Sequence, residues 1–317
     1  MSIPENELIR RKELLKATKI DVSNKEWLYM LGSETRHSVA IEGIFTYEKE
    51  LKAVIERSDY STDIDQRVLN YFRAAQFLYD MAIQYRNSKE IPPYVLLIRT
   101  LHSQLYKGIS THYTTGQFRK GPVQITNAII KPPFDSGKWI TLWSHYINHA
   151  LENYIMHAAI SRIHALFEAI HPFYDGNGIV GRLIINFILI ANNYTNIIIK
   201  GIEKSEIDQY YRALEKADKG IVTLFEADKL PSIKTLSSAI DKGEFNQLEE
   251  IIYEAIIESS NRTLTMHEPE DELLTVPEAA KKLNISQTAV KKRIKTGKII
   301  ASKLGTGTWR IPKKYLT

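Results

Sequence analysis

The chain has 317 residues, 44% hydrophobic and 25% charged, with a formal net charge of +5 and no cysteine. That composition belongs to a globular protein with room for two domains. The missing cysteines exclude a disulfide scaffold, a thiolate zinc site, an iron–sulfur cluster and a cysteine nucleophile. Charge is uneven: residues 272–317 hold eleven Lys/Arg against two Glu, leaving an acidic body of 31 Lys/Arg and 35 Asp/Glu. A mildly acidic body with a strongly basic tail points to two domains with different partners. The first 20 residues are charged throughout and lack an apolar signal core, and the longest apolar run, Leu183–Ala191, is too short to span a bilayer and contains Asn186. A cytoplasmic protein without membrane contact is expected.

Taken in chain order, the first informative segment is Ser38-Val39-Ala40-Ile41-Glu42-Gly43. The Ser–Glu spacing of four puts both on one face of a helix. Gly43 suits the left-handed residue that closes the helix. Glu42 then lies in the last turn, where the helix dipole disfavours an anion, which suggests a distant cation. Apolar residues at helical spacing predict helices over 65–86, 94–106, 139–170, 178–192 and 205–218. Trp139 and Trp143, one turn apart, read as core. Between the predicted helices over 94–106 and 139–170, Gln117–Ile130 carries the strand signal, with Val123, Gln124 and Ile125 before a Thr126-Asn127 turn, and Lys131-Pro132-Pro133 ends it.

Residues 171–182 read HPFYDGNGIVGR. His171-Pro172 stops one helix, and Gly176-Asn177-Gly178 opens the next. Backbone N–H groups at such a glycine-flanked helix start form an anion nest reinforced by the dipole. Asp175 is a hard oxygen ligand of the kind that holds Mg²⁺ against phosphates. Arg182 adds a guanidinium that can fork onto a phosphate or a carboxylate. His171 is placed to act as a base for a hydroxyl attacking that phosphate.

This run resembles the Fic family signature, His-x-Phe-x-Asp/Glu-Gly-Asn-Gly-Arg-x-x-Arg, matched by His171, Phe173, Asp175, Gly176, Asn177, Gly178 and Arg182, with Ile179 where the family has its first arginine. Leu101-His102-x2-Leu105, Gly116-x-Phe118-Arg119 and Tyr210-Tyr211-x2-Leu214 agree, so the resemblance covers roughly residues 35–225. It implies transfer of AMP from ATP to a Ser, Thr or Tyr hydroxyl of a protein, with the chain itself among the targets. His171 would be the base, Asp175 the ligand of Mg²⁺ (or Mn²⁺), and Gly176, Asn177, Gly178 and Arg182 the nucleotide site. Phe173 would anchor the loop. Val123, Gln124 and Ile125 would lie on a flap that pairs with an extended target segment. Ser38 and Glu42 resemble the family's inhibitory helix, so Glu42 would pair with Arg182 within the chain. Ile179 removes one charge-assisted phosphate contact, on the order of 1.5–3 kcal/mol. Arg119 and Lys120 are candidate substitutes.

In the tail, Leu274-Thr275-Val276-Pro277-Glu278 starts a helix, Ser286 caps a second over Gln287–Lys295, and Ile299–Lys303 and Thr308–Ile311 form a hairpin. Helix, turn, helix and hairpin resemble an excisionase-type winged helix-turn-helix. The resemblance implies DNA binding, with Gln287, Thr288, Lys291 and Lys292 on the reading helix and Arg310 on the wing. One such module is small, which favours a homodimer formed through the body.

The fold expected is mainly α: a Fic-like helical bundle with a short β-hairpin flap, plus a small C-terminal winged helix-turn-helix domain. The boundaries are an N-terminal helical region over 1–90 with the inhibitory helix at about 35–43, a catalytic core over 91–225, a helical connector over 226–265 and the winged module over 272–317. The function expected is a self-inhibited protein adenylyltransferase. The alternative is a nucleotide-sensing, DNA-binding transcription regulator whose Fic-like domain is weak or inactive.

Overall fold

A computed structural model describes the chain except for residues 1–4, 19–24, 58–61, 89, 126–127, 228, 305–306 and 317. The body is built from α1 (Glu5–Lys16), α2 (Lys25–Ile41), α3 (Glu48–Arg57), α4 (Asp63–Asn87), α5 (Tyr94–Leu105) and α6 (Ser136–Asn153). It continues through α7 (Met156–Ile170), α8 (Asn177–Ala191), α9 (Lys204–Asp218), α10 (Val222–Glu226), α11 (Ile233–Ile240) and α12 (Asn246–Met266). At its centre lies α8, buried along nearly its whole length, with α4 on one side and α7 on the other. A helix apolar all round needs such neighbours. One core runs from Leu8 to Ile257 and takes in Leu236, Leu248, Ile252 and Ile256, so the connector segment packs as part of the body.

The helical stretch expected over 139–170 is two helices. It breaks at Tyr154, whose extended backbone (φ −125°, ψ 153°) ends α6 while its hydroxyl donates to Asp241 at 2.7 Å. The break lets α6 fold back along α7. Trp139 and Trp143 are core residues, and the Trp143 indole donates to Ile163 O at 2.9 Å. The turn of the expected flap hairpin, Thr126-Asn127, lies outside the described residues. Residues 121–125 and 128–130 on either side carry no strand, although Ala128 N–H bonds Ile125 O at 3.1 Å. A two-strand ribbon with no third strand is marginal by itself.

The C-terminal module comprises β1 (Leu273–Leu274), α13 (Val276–Leu283), α14 (Gln287–Lys295), β2 (Ser302–Leu304) and β3 (Thr308–Pro312). The hairpin β2–β3 gains a third strand that the sequence reading lacks, with Leu273 opposite Pro312 and Leu274 opposite Ile311. A capping box between Thr275 and Glu278 starts α13, and Ser286 Oγ accepts from Ala289 N at 3.1 Å to start α14. The module is docked on the body. Ile300 is buried with Leu15 of α1 and Leu264 of α12. Arg11 is fully buried, donating to Asn261 Oδ1 at 3.1 Å and to the carbonyl of Gly297. Arg10 reaches Tyr315 O at 3.2 Å.

Candidate functional site

Sequence reading predicted that α2 closes on Gly43, and it does. Ile44 N–H bonds Val39 O at 3.0 Å and Gly43 N–H bonds Ala40 O at 2.9 Å, with Gly43 at φ +79°. This is a Schellman ending, which favours glycine at the left-handed position. The helix stops at Ile41, so Glu42 stands in the turn just beyond it. Its carboxylate Oε1 accepts from Arg182 Nη2 at 2.7 Å, with the Arg182 side chain 5% and the Glu42 side chain 28% exposed. Arg182 also donates from Nε to Ser38 Oγ at 2.9 Å and from Nη2 to Ser38 O at 3.0 Å. Ser38, Glu42 and Arg182 therefore meet across about 140 residues of chain. Burial works against the Arg182 charge, but the adjoining Glu42 outweighs it, and the guanidinium is held more firmly protonated than usual.

The motif loop follows α7. His171 ends that helix in the left-handed region, φ 49°, with its N–H on Phe167 O at 3.1 Å. Its Nδ1 lies 3.1 Å from Glu168 O, which can only accept. The proton is thereby fixed on Nδ1 and the Nε2 lone pair is left free. Burial lowers the His171 pKa from its ordinary value, so the ring is neutral at physiological pH.

Phe173 is fully buried and stacks on His102, ring centroids 4.1 Å apart. His102 is a support that the sequence reading carried only as part of a pattern. Its Nδ1 accepts from Gly116 N at 2.9 Å and its Nε2 lies 3.2 Å from Asp175 O. Burial pulls its pKa down to about 4, which keeps this neutral tautomer.

The side chain of Asn177 is buried and turned inward. Its Oδ1 accepts from Phe173 N at 2.9 Å and its Nδ2 donates to Phe173 O at 3.0 Å. It locks the loop, so any anion meets backbone here. Gly176, at φ +74°, caps α8 without a side-chain hydrogen bond, leaving the first-turn N–H groups open. Gly178 has a separate reason to be glycine: a Cβ there would overlap Glu42 Oε1 and lie 2.9 Å from Arg182 Nη1. The Glu42 carboxylate therefore rests against the first turn of α8, beside the nest. Asp175 is exposed, with Oδ1 accepting from Gly176 N at 2.8 Å.

Ile179 packs partly buried against the core. Arg119 does not replace the missing arginine. It is 3% exposed and committed to carbonyls: His171 O at 2.8 Å, Gly121 O at 2.9 Å, Pro133 O at 2.7 Å and Ile170 O at 3.2 Å. Arg119 instead ties the segment around Gly121 and Pro133 to the turn at Ile170-His171. Tyr174 helps, its hydroxyl accepting from Gly121 N at 3.1 Å. Lys120 and Gln124 are exposed, while Val123 and Ile125 are half-buried, Ile125 against the main core.

Beside the loop lies a buried group of which the sequence reading held Tyr210 only as part of a pattern and Glu168 not at all. His164 Nε2 and the Tyr210 hydroxyl are 2.6 Å apart, and Glu168 Oε1 has no hydrogen-bond partner. Burial raises the Glu168 pKa to about 8 and lowers that of His164 to about 3. Among the described residues no cluster of three or more His, Cys, Asp or Glu forms a metal cage, and no helix is long and apolar enough to cross a membrane.

In the C-terminal module, Gln287, Thr288, Lys291 and Lys292 are all exposed on α14, while Val290 and Ile294 face its core. Arg310 behaves differently. It is half-buried and pairs with Glu270 at 3.1 Å, next to the Lys313–Glu272 and Lys314–Glu268 pairs. The acidic stretch between the modules thus lies along Arg310 of the wing and the two lysines that follow β3. Exposed pairs of this kind contribute roughly 0–1 kcal/mol each, so a phosphate could displace Glu270.

A helical bundle with a glycine-flanked helix start, a histidine in the preceding turn and a buried arginine–glutamate latch defines a class. Residues 94–189 match the Fic/DOC family and residues 273–317 match a helix-turn-helix domain. The chain carries a Fic/DOC domain followed by an excisionase-type helix-turn-helix domain.

Among curated proteins it is 29% identical over 304 residues to a probable protein adenylyltransferase of Aquifex aeolicus, covering 92% of this chain and 88% of that one. It is 27% identical over 199 residues to the protein adenylyltransferase Fic of Drosophila mojavensis, covering 60% of this chain and 37% of that longer protein. Two solved structures share the fold. A Fic-domain signaling protein from Bacteroides thetaiotaomicron has a TM-score of 0.62 at 16% identity, over 82% of this chain and 97% of that one. A Fic family protein from Desulfovibrio desulfuricans has a TM-score of 0.56 at 16% identity, over 98% and 96%.

Proposed function

We propose that this protein transfers AMP from ATP to a hydroxyl group of a protein and holds itself in check through Glu42. One observation carries the reading. A protein carboxylate rests on the first turn of α8 and pairs with Arg182, where the phosphate of a nucleotide would compete for the same partners. The adenylyltransferase names of the relatives support the choice of reaction.

In this reading the open N–H groups of Asn177 and Gly178, which follow the Gly176 turn, bind phosphate oxygens, and Arg182 takes the terminal phosphate once Glu42 has left. Asp175 fits a magnesium or manganese ion: it is an exposed carboxylate beside the nest, and such ions take one or two carboxylates alongside phosphates. The ion would neutralise triphosphate charge. His171 Nε2 accepts the proton of the incoming hydroxyl. The hydroxyl oxygen bonds to the α-phosphorus while the bond to the bridging oxygen breaks, and pyrophosphate leaves. Segment 123–125 lies where an extended target could pair with its backbone. Gln287, Thr288, Lys291 and Lys292 present a basic helix face suited to DNA.

A second reading is a nucleotide-sensing regulator of transcription. It is favoured by Ile179, which leaves Arg182 without the cation expected beside it, while Arg119 is committed elsewhere. Incubation with Mg²⁺ and ATP labelled with ³²P at the α- or the γ-phosphate separates the two. Transfer of α-label alone to protein, rising in Glu42→Gly, supports AMP transfer. Nucleotide binding without covalent label in either variant supports the regulator.

A further inference from the structure

The polar stripe of α2 continues inward from Ser38. Glu34, one turn earlier, is 3% exposed. Its Oε1 accepts from the hydroxyls of Tyr71 and Tyr79 on α4, each at 2.6 Å, and its Oε2 accepts from Asn196 Nδ2 at 2.6 Å. Tyr79 in turn accepts from Asn186 Nδ2 at 2.9 Å. Asn186 follows Arg182 by one turn of α8. Tyr71 and Ser38 share the wall of one small cavity, their hydroxyls near enough to interact. This cavity of about 10 Å³, room for one water, lies among these side chains and Arg182.

The directions of these bonds follow from what each group can do. Arg182 Nε only donates, so Ser38 Oγ accepts from it. The Ser38 proton must then point elsewhere, and Tyr71 is the hydroxyl that it meets. Tyr71 accepts from Ser38 and turns its own proton to Glu34. Tyr79 and Asn196 arrive at the same carboxyl as donors, so the chain ends on a group that must accept. Burial raises the carboxyl's affinity for a proton and the donated bonds oppose that, so its role as acceptor depends on those donors.

We propose that Glu34 and Tyr71 are positioning residues for Arg182: acting through Ser38, they hold the guanidinium at the nucleotide site when Glu42 is absent. The inference rests on the assignment of Arg182 to the nucleotide's phosphate. It divides two tasks between two carboxylates on one helix. Glu42 blocks the arginine, and Glu34 keeps it in place. Arg182 is 4% exposed, so loss of Glu42 without a second acid in the network would leave a buried cation with no anion tied to it.

The test uses the Glu42→Gly protein, alone and combined with Glu34→Gln or Tyr71→Phe. Gln is isosteric but brings N–H donors to a point where all three neighbours already donate. Tyr71→Phe cuts the link to Ser38 and leaves Glu34 with Tyr79 and Asn196. Solvent exchange of the Arg182 Nε–H, followed by NMR on ¹⁵N-arginine-labelled protein, needs no substrate. The expected result is a protected signal in Glu42→Gly and exchange ~10-fold faster in either combination, with the triple variant no faster than the two combinations because they act on one chain. Unchanged exchange in either combination overturns the proposal.

In label transfer, KM for ATP should rise by more than kcat falls in both combinations. A fall in kcat with KM unchanged would also overturn it. Glu42→Gly that is protected at Arg182 yet transfers no label would sink the enzymatic reading and leave the positioning role standing.

Discussion

At the scale of single residues, charge decides what the site can do. Arg182 is shared between Ser38 and Glu42, and neither Ile179 nor Arg119 adds a second phosphate-facing cation. Ile179→Arg should therefore strengthen transfer or ATP affinity by roughly 10- to 100-fold in the Glu42→Gly background, the equivalent of ~1.5–3 kcal/mol. Steady-state kinetics with ATP as the varied substrate checks this. No gain would mean that the phosphates never reach position 179. His171 supplies a pH signature. Its pKa lies below the ordinary 6.5 because it is buried, so kcat/KM should rise with pH and reach its plateau before an unperturbed imidazole would. A profile still rising between pH 7 and 8 would contradict His171 as a free base.

At the scale of elements, two short structures set the switch. Gly43 sits at φ +79° in open space, so Gly43→Ala meets no clash and costs only its conformation, ~1–2 kcal/mol. That cost falls on the turn presenting Glu42, and basal label transfer should rise severalfold while Tm falls slightly. Equal basal transfer would show that the turn does not set Glu42's position. The second structure is the loop after α7, backed by Glu168. This carboxyl has a pKa of about 8 in the fold against an ordinary 4.5. The folded state binds the extra proton between those values, so Glu168's contribution is complete below about pH 4.5 and lost as pH rises through 8. Glu168→Gln should flatten the decline in Tm across that window, as differential scanning calorimetry would show.

Much of this local architecture was legible in the sequence because its determinants are local. The turn at 171–178, the cap at Gly43 and the two helices of the tail each declare themselves within a dozen residues. The break at Tyr154-Ile155 has no Gly or Pro to announce it and depends on Asp241, far along the chain. The two-residue strand β1 is too short to show a period. The backbone of Asn177 was assigned to the nucleotide, and no spacing rule marks its side chain as the one that locks the loop from within. His102 and Glu34 matter through packed partners that no spacing rule connects, and the Glu42–Arg182 pair was expected from family resemblance alone.

For the whole molecule, the question is how the two modules are joined. The basic tail is fixed to α1 and α12 by Arg11, Ile300 and the acidic stretch that pairs with the wing. Arg11→Ala leaves the Gly297 carbonyl without this buried donor, a loss of ~1–3 kcal/mol in docking. A glutamate-specific protease should then cut at Glu270 or Glu272 several times faster. An unchanged rate would show that the other contacts suffice to dock the module. On DNA, Lys291→Ala and Lys292→Ala should each lower affinity and reduce the slope of log K against log salt by about 0.9. Equal slopes would place the DNA on another face. The central claim is that Glu42 restrains a transferase whose base is His171. Its most direct test is the rate of α-³²P incorporation from ATP in wild type, Glu42→Gly and Glu42→Gly/His171→Ala. The account predicts a rise of at least ~10-fold on removing Glu42 and near-complete loss when His171 is removed as well. Label that persists without His171, or that fails to rise without Glu42, would contradict it.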